Sequence, residues 1–93
     1  MEGYAEYKVP DGKLVSVKVT YSDRIESLQI LGDFFIHPEE SLTDIENIFI
    51  NMDVNETEGR ITEMIRGIVI AKKIEMIGVT PEAIAKTTKM AIK

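Results

Sequence analysis

Between residues 14 and 21 apolar and polar side chains alternate, with Val15, Val17, Val19 and Tyr21 on one side and Ser16, Lys18 and Thr20 on the other. A period of two marks a strand buried on one face only. A shorter run, Tyr4 to Val9, places Ala5, Tyr7 and Val9 together and predicts a strand before it. Pro10-Asp11-Gly12-Lys13 joins the two with turn chemistry, proline fixing φ and Gly12 accepting a positive φ. Ser22-Asp23-Arg24 predicts a second turn, and Ile25 to Leu31 a third strand with Leu28 and Ile30 inward. Ile25 is out of phase with that pair, which a bulge near Glu26-Ser27 reconciles. Two tight turns in succession imply an antiparallel meander.

Beyond Gly32 the period changes. His37-Pro38-Glu39-Glu40 predicts a helix start, with His37 at the cap position and two acids complementing the positive dipole end. Leu42, Ile45, Ile48 and Phe49 continue it to about residue 50, and a polar connection anchored by Met52 and Val54 follows. A second helix is expected from Glu56, capped by Asn55 with Glu58 reaching back, and stopped by Gly78. Ile61, Met64, Ile65, Ile68 and Val69 are its inward stripe, and Ile70, Ile74 and Ile77 fall on the opposite side. Such a helix is either sandwiched in the fold or presents one side to a partner; burial of the Ile70/Ile74/Ile77 stripe under the last helix is the expectation. Thr80-Pro81-Glu82 opens that helix, with Ile84, Thr88, Ala91 and Ile92 inward and Lys86, Lys89 and Lys93 toward its negative end. The prediction is a single domain over residues 1–93 of α+β class: a three-stranded antiparallel meander followed by three helices packed on one face.

Composition narrows the chemistry. There is no cysteine, which excludes disulfides, thiolate nucleophiles and Cys-ligated metal. His37 is the sole histidine, no Gly-x-Ser-x-Gly elbow is present, and the six glycines form no phosphate-binding pattern. Asp33, Glu39, Glu40 and Asp44 cluster in sequence without the spacing of a calcium loop, so no metal ligands and no catalytic residues are assigned. The net charge of −5 disfavours nucleic acid. It is uneven: residues 1–50 carry ten acids against four bases, whereas residues 51–93 carry six against seven. No apolar run nears the roughly 20 residues of a membrane span, and no signal-peptide pattern is visible, so a cytoplasmic location is expected.

Gly32-Asp33-Phe34-Phe35 is the unusual segment. Adjacent phenylalanines in extended chain face opposite ways, so with Phe34 in the core Phe35 points to the rim, solvent or a partner. Gly32 suggests a close backbone approach. The segment reads either as a connection with one exposed aromatic or as a contact surface anchored by Phe35 and rimmed by Asp33 and His37.

Three segments together resemble the C-terminal accessory domain of lipoate–protein ligases: Lys8-Val9-Pro10-Asp11-Gly12-Lys13-Leu14-Val15, Gly32 through Glu40, and Gly78-Val79-Thr80-Pro81-Glu82. The resemblance spans nearly the whole chain, and its Gly-Asp-Phe-Phe stretch is its most specific part. It implies a partner: in such ligases a larger catalytic domain activates lipoate with ATP to lipoyl-AMP and transfers the lipoyl group to a lysine of an acceptor domain. The small domain supports activation and moves relative to the catalytic one. The catalytic domain's Arg-Arg and Gly-Gly motifs are missing, and Met1 stands at the start of the resembling region. The resemblance therefore implies the split form, in which this chain is the non-catalytic subunit of a heterodimer. ATP, Mg and lipoate are expected on the catalytic subunit and no cofactor on this chain; lipoyl-acceptor domains are indirect partners. The interface candidates are Gly32, Asp33, Phe34, Phe35, His37, Ile70, Ile74 and Ile77. The alternative is a stand-alone protein-binding or scaffold module, in which the absence of cysteine argues against any sulfur-carrying role.

Overall fold

In the computed structural model, which describes residues 1–92, the valine alternation becomes the middle of a three-stranded antiparallel sheet. Strands β1 (Glu2–Lys8), β2 (Leu14–Tyr21) and β3 (Ile25–Gly32) lie in the order β1-β2-β3. Val15, Val17 and Val19 are at most 1% exposed. Ile25 faces Tyr21 while Ser27 faces Thr20, so Glu26 is the extra residue of a bulge that turns Ile25, Leu28 and Ile30 inward together. In the first turn it is Asp11, at φ 57°, that takes the left-handed conformation, not Gly12. Gly12 is required for space, since a Cβ there would lie 2.8 Å from the Gly78 carbonyl oxygen.

Four elements follow: β4 (Phe35–His37), α1 (Ser41–Ile48), α2 (Glu58–Ala71) and β5 (Glu75–Ile77), before α3 (Pro81–Ala91) closes the fold. The expected helix start at Pro38 moves to Ser41, because residues 35–37 pair with residues 75–77 and hold His37 extended rather than at a cap. Pro38 to Ser41 instead forms a turn in which the Ser41 amide donates to the Pro38 carbonyl. The second helix is capped by Thr57, not Asn55; the Thr57 hydroxyl accepts from the Arg60 amide at 3.2 Å, while the Asn55 amide is taken by the Asp53 carboxylate at 2.8 Å.

That helix also ends early, at Ala71 and not at Gly78. Lys73 takes φ 52°, the Ile74 amide reaches back to the Val69 carbonyl and the Lys73 amide to that of Ile70. These bonds are the Schellman termination, usually made with glycine at the left-handed position. The predicted Ile70/Ile74/Ile77 stripe therefore does not exist as one face. Ile70 is 71% exposed on α2, Ile74 is buried as the helix turns off, and Ile77 is exposed on β5. Gly78, at φ 87°, ends β5 rather than a helix.

The last helix forms as its Thr80-Pro81 start dictates, with the Thr80 hydroxyl accepting from the Ala83 amide. It is buried on two sides, however. Ala83, Ile84, Ala85, Thr87, Thr88 and Ala91 are all covered, because α3 lies between the sheet and α2. Thr87 and Thr88 are buried without cost in unpaired hydroxyls, since each donates to the carbonyl one turn back. Met52 is buried and Val54 half-buried in the loop before α2, and Lys89 donates to the Val54 carbonyl across it. Lys86 sits 5.5 Å over the Tyr7 ring, whereas Lys93 lies outside the described residues.

Two glycines carry opposite predictions. A Cβ on Gly3 would collide with the Ala91 carbonyl at the end of α3, whereas Gly67, within α2, faces open space. Gly3→Ala is expected to lower the unfolding free energy by about 1–3 kcal/mol. Gly67→Ala is expected to raise it by up to about 1 kcal/mol. Urea unfolding followed by circular dichroism checks both signs.

Candidate docking site

The two-stranded ladder decides how the Gly32–His37 segment presents itself. Phe35 pairs with Ile77, Ile36 with Met76 and His37 with Glu75. Period-two alternation sends Ile36 into the core at 7% exposure and leaves Phe35 and Ile77 outside, at 69% and 53%. Phe34 turns the other way, half-buried and packed on the core, so the two phenylalanines do diverge. Its ring lies over Gly32, where a Cβ would meet ring carbons at 2.7 and 2.8 Å. The Leu14 carbonyl crowds the same position, so only glycine fits there.

Beside this ladder an open groove of about 640 Å³ runs between the end of β3 and β4. Ile30, Phe34, Ile36 and Leu42 contribute to its lining, and the exposed Leu31, Phe35 and Ile77 give it an apolar lip. His37, Glu39 and Glu75 add polar groups. Of the residues singled out from sequence, Gly32, Phe34, Phe35, His37 and Ile77 meet here. Asp33 is exposed next to the groove without lining it, while Ile70 and Ile74 lie elsewhere. Leu31 was missed. Its signal was its phase, since it alternates with Leu28 and Ile30 and so had to face outward.

Among the described residues no three His, Asp or Glu side chains converge to hold a metal ion. Asp44 instead pairs with Lys72 at 3.2 Å and joins α1 to α2. No helix among the described residues is long and apolar enough to cross a membrane. An exposed aliphatic and aromatic lip around a groove, set on a two-stranded ladder, has the chemistry of a contact surface: apolar anchors with polar groups at the margin.

The class that fold and site define is thus a small α+β domain with an apolar-lipped surface groove. No protein-family profile matches the sequence, and no curated protein matches it. A solved structure does match: a chain from an archaeal lipoylation system of Thermoplasma acidophilum, comprising a bipartite lipoate protein ligase and its E2 lipoyl domain. The TM-score is 0.76 at 25% sequence identity, over 95% of this chain and 94% of that one.

The alternation yields a direct test. Phe35→Ala is expected to change stability by less than about 0.5 kcal/mol, as at other exposed positions. Ile36→Ala, one residue on, is expected to cost about 2–5 kcal/mol. Denaturant midpoints of the two variants measure the contrast.

Proposed function

We propose that this chain is the accessory subunit of a two-component lipoate–protein ligase. In this reading it docks on a separate catalytic subunit and is needed there for the ATP-dependent activation of lipoate to lipoyl-AMP. The observation that carries the reading is the structural likeness to a chain of a bipartite ligase system over nearly the full length of both chains. The Gly32–Glu40 and Gly78–Glu82 segments, which resemble accessory domains in sequence, support it as well; they hold one strand of the groove's ladder and the start of α3.

The physics of the role follows from what the chain contributes. It offers binding energy through an apolar lip, and ATP, Mg and lipoate belong to the partner. A domain of this kind assists a reaction by favouring one arrangement of the subunit it binds, and it shifts that equilibrium only by its differential affinity for the two arrangements. A subunit without a covalent tether also loses the effective concentration that a linker supplies. The interface therefore has to hold by contact alone, and the groove bounded by Leu31, Phe35 and Ile77 is the docking face in this proposal.

The test is reconstitution. A purified catalytic subunit, lipoate, ATP and Mg²⁺ are mixed with and without this chain, and lipoyl-AMP is measured. Adenylate formation is expected to depend on the added chain. Phe35→Asp with Ile77→Asp is expected to cut the rate about tenfold or more at limiting concentration, with recovery at high concentration because docking is what is weakened. An adenylation rate indifferent to this chain would sink the proposal.

A further inference from the structure

The two edges of the main sheet are treated differently. On β3 the outward amide of Ile30 is occupied, donating to Glu46 Oε2 of α1 at 2.8 Å. On β1 nothing comparable happens. Met1 exchanges both its backbone groups with Tyr21, so strand alternation turns Gly3, Ala5 and Tyr7 toward β2 as well. The N–H and C=O groups of Glu2, Tyr4, Glu6 and Lys8 therefore point away from the sheet. No backbone hydrogen bond reaches them from another element among the described residues. An uncovered edge of this length is a template for another strand.

We propose that this edge pairs with itself: two copies join their β1 strands antiparallel about a two-fold axis at Ala5, making one continuous six-stranded sheet. Charge selects both the occupant and the register. With Ala5 facing Ala5, the outward-bonding residues meet in pairs, Glu2 opposite Lys8 of the second copy and Tyr4 opposite Glu6. Each such pair exchanges both backbone hydrogen bonds. Sliding by two residues either way preserves the backbone bonding but sets Glu2 against Glu6, or Glu6 against Glu6, which is repulsive. Among the described residues of one copy neither Glu2 nor Lys8 has an ion-pair partner; the Lys8 ammonium rests on the carbonyls of Val9 and Gly12 at 3.2 and 2.7 Å. The Tyr4 hydroxyl donates to Glu6 Oε2 along its own strand, and the two-fold sets it opposite Glu6 of the second copy.

The core side supplies a second observation. Val15, Val17 and Val19 on β2 are fully covered, yet Ala5 and Tyr7, on the same side of β1, are left half-exposed. A second β1 alongside would cover them. The contact is small, so the association is weak and concentration-dependent. It rests on the edge alone and stands or falls independently of the lipoylation reading.

Sedimentation equilibrium of the chain from micromolar to millimolar concentration tests it, with a monomer–dimer equilibrium expected. Glu2→Lys alone or Lys8→Glu alone is expected to weaken self-association about tenfold, since two symmetry-related pairs become repulsive at once. An equimolar mixture of these two variants is expected to recover the dimer, because every pair across the axis is then attractive. Tyr4→Pro removes an outward amide that β2 does not use and is expected to abolish the dimer while the far-ultraviolet spectrum is retained. A chain that stays monomeric at millimolar concentration overturns the proposal, as does a dimer indifferent to all three variants. So does a monomer whose binding to a catalytic subunit is lost on Tyr4→Pro, which would assign the edge to that subunit.

Discussion

The close approach of α3 to the sheet is the constraint on which the remaining structure depends. Only small side chains let a helix sit this near a strand pair, and α3 supplies them as Ala83, Ala85, Thr87, Thr88 and Ala91. The strand answers with Gly3, whose missing Cβ leaves room for the Ala91 carbonyl. Because α3 is thin it is covered from both sides, by the valines of β2 below and by Ile61 and Ile65 of α2 above. A larger residue at any of these places would lift the helix and open the core along its length.

The groove follows from a second constraint, met at the other end of the sheet. The β1–β2 turn lies against Gly78, with the Lys13 amide donating to the Gly78 carbonyl at 2.8 Å. Gly32 meanwhile yields to the ring of Phe34. These contacts hold the exit from β3 and the exit from β5 in one place, so that three-residue strands can pair. Ile36 and Met76 anchor the ladder to the core, and Phe35 and Ile77 are thereby turned out. The exposed lip is a product of alternation on a short ladder whose inner face is committed to packing.

What was legible in the sequence was what local physics decides. The valine phase in β2, the bulge at Glu26 and the Thr80-Pro81 helix start each follow from neighbours along the chain, and each formed as expected. The divergence of Phe34 and Phe35 was legible for the same reason. The ladder between residues 35–37 and 75–77 was not, because neither triplet has a pattern of its own and their pairing is worth making only after the chain has closed around them. Without the ladder, residues 74–77 read as a continuation of α2, and Ile70, Ile74 and Ile77 read as one stripe. The true stop at Lys73 carries no glycine to announce it.

Glu46 has a role that its single hydrogen bond understates. By occupying the Ile30 amide, while the Asn51 and Met52 backbone occupies Ile25, it blunts one of the two borders of the sheet and leaves the β1 side open. A sheet able to extend in both directions can add copies without end, which is the geometry of a filament. A sheet blocked at one border stops after a single symmetric joining. In the proposed dimer a carboxylate on α1 thus helps to keep the assembly closed, and it does so from the helix, where substitutions in the strands themselves would not reveal it.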